Sequence, residues 1–334
     1  MPFRDLIGHT RLTTLLTRAV ARESVPPTLL FSGPSGVGKW RAALALAEAI
    51  NCQAPSHGDA CGTCRSCDRI ARGMHVDVRP VEPDDTGKIK IDAVRTALEG
   101  SGYRPFEGKR RVVLVRDTDA MLEAAQNSLL KMLEEPPPAT MFVLTSAAPD
   151  SLLRTVRSRT MRLAFGRLTM AEVELLLVRD HEREPAEARR LAGLADGSVG
   201  AALALGSSDV AVTRDAALLL LSAAAERDLA GRLGLAKMVV GAKKPERTRQ
   251  EMVAVLQLAS SIVRDLAVLH AGSDRRLLAN GDIADRLERL ARALPASAAR
   301  QAFAIIDRGL AALDRNAGPK LVAEWIAAEI YPDR

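Results

Sequence analysis

A glycine-rich stretch, Gly33-Pro-Ser-Gly-Val-Gly-Lys39, stands between a short apolar run at residues 28–32 and a helix-forming run at residues 41–50. A strand, a tight loop and a helix in that order restrict this part of the chain to an α/β unit built on a parallel sheet. Glycines bracketing four residues, followed by Lys, let backbone N–H groups close around phosphate oxygens at a helix N-terminus while the Lys reaches the outer phosphates. Gly33, Gly36, Gly38 and Lys39 supply that part of the pattern. The pattern then asks for a Ser or Thr hydroxyl to hold Mg²⁺, and Trp40 stands in its place. An indole offers the ion no oxygen lone pair, so weak or absent hydrolysis is expected even where ATP or ADP binds. The plain alternative is a glycine turn with no ligand.

The chain has 4 cysteines, all closely following that loop: Cys52, Cys61, Cys64 and Cys67. The two tight intervals let neighbouring thiolates turn onto one ion with little backbone strain. A tetrahedral Zn²⁺ held by all four thiolates has a full shell, which points to a structural site with no open catalytic position. His57, inside the long interval, is read as a solvated loop residue, although it is able to replace one thiolate. A redox pair accounts for two cysteines and leaves two unexplained. The opening Met-Pro-Phe-Arg-Asp shows no charged-then-apolar signal segment, so the reducing cytoplasm is the expected compartment and disulfides are disfavoured.

With 334 residues there is room for two or three domains, and 47% apolar residues describe an ordinary globular chain. No run of consecutive apolar residues approaches the roughly 18 that a membrane span needs, so no membrane partner is expected. A net charge of +6 is compatible with nucleic-acid contact without requiring it, and Lys109-Arg110-Arg111 reads as a solvated basic surface. Aromatic residues at 3% weigh against base-stacking platforms.

Strands are expected at 28–32, 76–81, 111–115 and 141–145, with helices between them, giving a parallel sheet covered on both faces. The third ends at Asp117, where a phosphate-loop protein places its Mg²⁺-associated acid. Thr118 follows, where a hydrolysing site places a Glu to orient water, and Asp119, one residue further on, should point elsewhere. In Asn127-Ser-Leu-Leu-Lys-Met-Leu-Glu-Glu-Pro-Pro137, the leucines 129, 130 and 133 recur at helical spacing and the prolines end the helix. Leu152-Leu-Arg-Thr-Val-Arg-Ser-Arg-Thr160 carries arginines at 154, 157 and 159 and reads by itself as an exposed basic helix end.

Beyond residue 165 the pattern is helical. Thr169-Met-Ala-Glu172 is a capping-box signature and Pro185 opens a second helix. A boundary is expected at Gly206-Ser-Ser-Asp209, followed by helices at 216–225, 252–269, 283–294, 298–313 and 321–330, with breaks at 243–245, 272–274 and Pro295.

Together the phosphate loop, the cysteine knot, the Leu-Leu-Lys-Met-Leu-Glu-Glu-Pro-Pro run and the Arg-Ser-Arg-Thr segment resemble the bacterial DNA polymerase III clamp-loader subunits of the AAA+ class. Phe3-Arg-Asp-Leu-Ile-Gly8 resembles that family's opening segment near the adenine pocket, and Asn316-Ala-Gly-Pro-Lys-Leu-Val-Ala-Glu324 its last helix. The similarity covers essentially the whole chain. It implies three domains: an AAA+ P-loop domain at 1–165 with a zinc-binding insertion at 52–67, a helical lid at 166–206 and an all-helical collar at 207–334. A freestanding helical bundle is the alternative for the last of these.

Within the family, Trp40, Thr118 and Gly197-Ser-Val-Gly200, where the ATPase subunit usually carries a sensor arginine, favour the delta-prime kind over the ATP-hydrolysing gamma/tau kind. The family's Ser-Arg-Cys motif presents its arginine to ATP on the neighbouring subunit. Ser158 and Arg159 match it, and Thr160 replaces the cysteine. The resemblance thus implies an arginine finger given in trans by a chain with a degenerate site of its own, at Gly33, Gly36, Gly38, Lys39 and Asp117. It also implies a hetero-pentamer with gamma/tau and delta subunits, acting on a sliding clamp and primed DNA. An active gamma-type ATPase and a stand-alone P-loop enzyme such as a small-molecule kinase are the rival readings.

Overall fold

The three central apolar runs become strands buried on both faces, as a parallel sheet covered by helices requires. The computed structural model describes residues 1–206, 210–223, 228–241, 249–314 and 317–330. Its sheet contains β1 (Thr28–Ser32), β2 (Val78–Val81), β3 (Arg111–Val115), β4 (Thr140–Ser146) and β5 (Met161–Ala164). They lie in the order β2-β3-β4-β1-β5 with every pairing parallel, so β4 is inserted between β1 and β3. The C-terminal ends of β1, β3 and β4 therefore lie side by side.

Successive strand side chains point to opposite faces. Leu29, Phe31, Val112, Leu114, Met141 and Val143 pack with α1 (Thr10–Ala21), α2 (Lys39–Asn51) and α3 (Arg65–Ala71). Leu30, Val113, Val115, Phe142 and Leu144 pack on the other face with α4 (Ile91–Leu98), α5 (Glu123–Glu134) and α6 (Arg154–Arg157). Leu129 and Leu133 of α5 are buried as their spacing predicts, and Leu130 is half-buried.

Two sequence expectations change here. The second strand starts at Val78 rather than 76. His75 and Asp77 are engaged otherwise: the Asp77 N–H donates to His75 Nδ1, and the Asp77 carboxylate accepts from the backbone N–H groups of Phe106, Glu107 and Gly108 at 2.8–2.9 Å. The basic triplet is also not wholly solvated. Arg111 is buried, reaches the Asp77 carboxylate at 3.5 Å and donates to the Gly100 carbonyl.

The chain divides into two units, Met1–Leu168 and Thr169–Arg334. The second is all-helical among the described residues. Its first helix, α7 (Met170–His181), opens with the expected capping box, in which Thr169 and Glu172 satisfy each other's backbone N–H groups. Then follow α8 (Pro185–Leu194), α9 (Val199–Gly206), α10 (Val210–Ser222), α11 (Leu229–Val240), α12 (Arg249–His270), α13 (Ala284–Ala293), α14 (Ala296–Asp314) and α15 (Pro319–Glu329). The expected lid, from residue 169 onward, and the expected collar fall in this unit, with α8 and α9 touching α12. Residues 207–209 of the expected boundary, the break at 243–245 and Asn316 lie outside the described residues.

The expectation about membrane spans needs correction for one helix. Glu251–His270, within α12, is long and apolar enough on average to cross a membrane, although no single run is uninterrupted. Of that stretch 61% is buried, and α12 packs against α10 and α14, which is the situation of a domain's core helix.

Candidate functional site

The loop that follows β1 runs over the C-terminal edge of the sheet and feeds directly into α2. Gly33 has φ +147°, and its N–H donates to the Ser146 carbonyl of β4 at 3.1 Å. A Cβ there would sit 2.1 Å from the Phe165 carbonyl oxygen, so only glycine fits. Gly36 and Gly38 also have positive φ, and Gly38 is the N-cap of α2. The first amides of α2 thus point toward the loop, with the positive end of the helix dipole behind them. Lys39 is buried, and its Nζ donates to the Gly33 and Pro34 carbonyls at 2.7 Å each. The loop is braced from outside by His9, whose Nε2 bonds the Val37 carbonyl at 2.9 Å and whose ring meets Phe165 edge-on.

Opposite the loop, β3 ends in Arg116-Asp117. Asp117 takes a left-handed conformation, φ +50°, and its N–H donates to Thr145 Oγ1 of β4 at 3.0 Å. Desolvation in this crowded edge, with the Asp119 charge added, pushes the Asp117 carboxyl above the ordinary carboxylate value, against the opposing pull of Arg116 and Lys39. Lys39 and Asp117 therefore share one site, as the sequence pattern implies. Asp119 turns away: its Oδ1 accepts from the Ala147 N–H at 3.1 Å. Thr118 is buried and carries no carboxylate.

A magnesium ion does not fit these residues. Trp40 occupies the hydroxyl position, and the Arg116 guanidinium lies over its ring, 5.8 Å from the centroid, within cation–π range. The same guanidinium has Nε 3.8 Å from Asp117 Oδ2 and Nη1 3.3 Å from Glu82 Oε2. One oxygen ligand is absent and the remaining carboxylate already faces a permanent cation.

Arg159 is far from this pocket. The Thr28 hydroxyl at the start of β1 donates to the Arg159 carbonyl at 2.7 Å, whereas the loop begins after Ser32 at the strand's other end. A five-residue strand spans about 16 Å at about 3.3 Å per residue. The half-buried Arg159 side chain is held by its Nη1 on the Thr155 carbonyl at 3.0 Å and by an ion pair from Nη2 to Glu134 Oε1 at the end of α5. The two segments that drew attention in the sequence, Leu-Glu-Glu-Pro-Pro and Ser-Arg-Thr, thus meet at this ion pair.

The cysteines form a second, separate centre. Cys52 caps the C-terminus of α2, Cys64 is the N-cap of α3 and Cys67 lies within α3. Their Sγ atoms and that of Cys61 all lie within 4.8 Å of one another, and all four are free of disulfides. Sulfurs bound to one ion at about 2.3 Å in a tetrahedron are about 3.8 Å apart, so the set can hold a metal with small adjustments. The Thr63 and Cys64 backbone N–H groups draw the Cys61 thiol down to about 6. Burial raises Cys52 and Cys67. His57 is exposed and outside the cluster. The knot is stapled to the chain's opening residues. Asp59 accepts from the Phe3 N–H at 2.7 Å, and the Arg4 guanidinium bonds the Ala60 and Cys61 carbonyls at 2.7 and 2.9 Å.

The sequence profile of the family described as "DNA polymerase III, delta subunit" matches residues 8–169, which contain the loop, the cysteine knot and Arg159. Residues 8–169 are a domain of the DNA polymerase III clamp-loader family. Beyond that domain, the similarity continues. The chain is 29% identical over 360 residues to DNA polymerase III subunit gamma/tau of Mycobacterium bovis, an alignment covering 98% of this chain and 60% of the relative. It is 31% identical over 214 residues to subunit tau of Salmonella typhimurium, covering 63% of this chain and 33% of that one. The chain thus spans at most about 60% of the length of these relatives. A solved gamma subunit-related protein from Thermotoga maritima overlays with a TM-score of 0.44 at 19% identity, covering 94% of this chain and 97% of its own.

In this clamp-loader domain, sequence reasoning missed the partners that organise the site. Arg116 and Trp40 are 76 positions apart, and only their hydrophobic and charged setting in the fold joins them. Thr145 was read as the tail of an apolar strand, and Ser146 lay just beyond the strand's expected end. Yet Thr145 holds Asp117 and the buried Ser146 carries the Gly33 contact through its carbonyl. The one available signal was the appearance of two hydroxyl residues at the end of an otherwise apolar run.

Proposed function

We propose that this chain is a delta-prime-type subunit of the DNA polymerase III clamp loader, one that completes a neighbour's active site instead of running its own. The observation that carries this reading is the opposite placement of two features. The chain's own phosphate loop has no magnesium ligand set, and Arg159 is held by Glu134 at the other end of β1, out of reach of that loop. A guanidinium offered outward from one subunit can stabilise the charge of a transferring phosphoryl group on ATP bound next door. ATP or ADP in the loop of this chain would be a static ligand on Gly33, Gly36, Gly38 and Lys39. The cysteine knot would hold a structural Zn²⁺, and the segments at 166–206 and 207–334 would serve as lid and collar. The partners are gamma/tau and delta subunits in a cytoplasmic hetero-pentamer that opens the sliding clamp and places it on primed DNA.

A second reading has a specific observation behind it. The alignment with gamma/tau subunits runs along 98% of the chain, which favours a gamma-type ATPase. The two separate in one experiment: ATP turnover by the reconstituted loader with clamp and primed DNA, comparing wild type, Lys39→Ala and Arg159→Ala. A donor of an arginine finger loses turnover through Arg159→Ala and keeps it in Lys39→Ala. Loss through Lys39→Ala alone would make the chain an ATPase and overturn the first reading.

A further inference from the structure

The disagreement between this pocket and a magnesium ion has a positive side. The positive charge that the ion supplies elsewhere is already built in. Arg116 lies over the face of Trp40, 5.8 Å from the ring centroid, and reaches Asp117 at 3.8 Å and Glu82 at 3.3 Å. Lys39 is electrostatically coupled to the same Asp117. Two cations therefore converge on the edge where the outer phosphates of a nucleotide on this loop would lie. A guanidinium is charged at every accessible pH and binds phosphate oxygens in a bidentate fork. Its present partners, Asp117 and Glu82, hold it loosely. The Asp117 contact is long, and the Arg116 and Glu82 side chains are both close to half exposed, where such pairs are weak. The indole gives the guanidinium a flat surface along which it can turn from carboxylate to phosphate without losing its stacking contact.

We infer that this pocket takes a nucleoside di- or triphosphate without a divalent cation, Arg116 on Trp40 supplying the charge that magnesium supplies beside a Ser or Thr hydroxyl. The inference rests on the loop being the nucleotide site of a non-hydrolysing subunit and does not involve Arg159. It makes the pocket indifferent to magnesium and leaves no ion to bridge the outer phosphates during cleavage, so a bound triphosphate persists.

The test is a titration of the full chain with fluorescent ADP and ATP analogues, in magnesium chloride and in EDTA. Affinity in EDTA equal to or tighter than in magnesium is expected. Arg116→Ala should weaken binding about tenfold in both buffers, the loss of one charge-assisted contact, while Arg116→Lys retains part of it. Lys39→Ala should abolish binding, which locates the ligand in the loop, and melting curves of each variant report whether it is folded. Affinity that depends on magnesium, wild-type binding by a folded Arg116→Ala, or no binding in either buffer would overturn the inference. None of these outcomes touches the Arg159 experiment. A failure of Arg159→Ala to reduce turnover would equally leave a magnesium-free nucleotide complex standing.

Discussion

Substituting Cys61→Ser breaks the cysteine knot at its outer edge, since Cys61 is only half-buried whereas Cys52 and Cys67 are fully enclosed. A serine hydroxyl is a poor zinc ligand because it stays protonated, while the Cys61 thiol, drawn to about 6 by the Thr63 and Cys64 N–H groups, is a thiolate at neutral pH. Structural zinc contributes about 10–16 kcal/mol in small domains, so removing one of four thiolates should cost about 3 kcal/mol. For a unit the size of Met1–Leu168, each kcal/mol shifts the midpoint by about 2–4 °C, which predicts a melting temperature lower by about 6–12 °C. The assay is thermal unfolding of the full chain, read beside metal content and thiol reactivity. Wild type should hold one equivalent of zinc with unreactive thiols, Cys61→Ser should lose it, and Cys61→His, which restores a zinc-competent ligand, should recover both metal and midpoint. Wild-type protein with less than one equivalent of metal, reactive thiols and a midpoint unmoved by chelator would refute the reasoning.

Two other perturbations act within the same clamp-loader domain. Glu134→Ala leaves Arg159 with only its contacts to Thr155 and Ser158; for a pair this exposed, stability should change by less than about 1 kcal/mol, while turnover of the reconstituted loader should fall severalfold as the guanidinium loses its direction. Unchanged turnover would mean that the ion pair is not a positioning contact. Asp77→Asn should cost about 3 kcal/mol in denaturant titrations, because it removes a buried carboxylate from three backbone N–H groups and Arg111. Burial alone would raise the Asp77 carboxyl, but the N–H groups of Glu107, Gly108 and Phe106 and then the Arg111 charge outweigh it and hold it below the ordinary value. Its contribution is therefore present above the unfolded carboxylate value, about 3.9, and is lost as pH falls through the depressed folded value. Wild-type and Asp77→Asn stabilities should accordingly converge in acid, and parallel curves would contradict the assignment.

Much of the fold was legible because β1, β3 and β4 are central and buried on both faces, so each appears as a mostly apolar run. β5 was not: it is an edge strand, and only Leu163 of its four residues is buried. α11 escaped for a different reason, since Gly231, Arg232, Gly234 and Lys237 interrupt an otherwise apolar stretch and leave no one-sided periodicity. At the site, the loop glycines, Lys39, Asp117 and the cysteines were legible because their chemistry depends on local spacing. The Arg116–Trp40 stack and the Glu134–Arg159 pair depend on distant segments meeting, and nothing in the local sequence of either partner announces the other.

The helix α2 begins at Lys39, and its C-cap is Cys52. Its 13 residues make a stiff rod about 20 Å long, with the phosphate loop at one end and a ligand of the cysteine knot at the other. Any movement of the knot tilts that rod, and a tilt re-aims the amides that face the loop. The loop's geometry is thus braced from its far end, where four cysteines stand close enough together to hold a metal ion, like a needle whose pivot lies outside the dial.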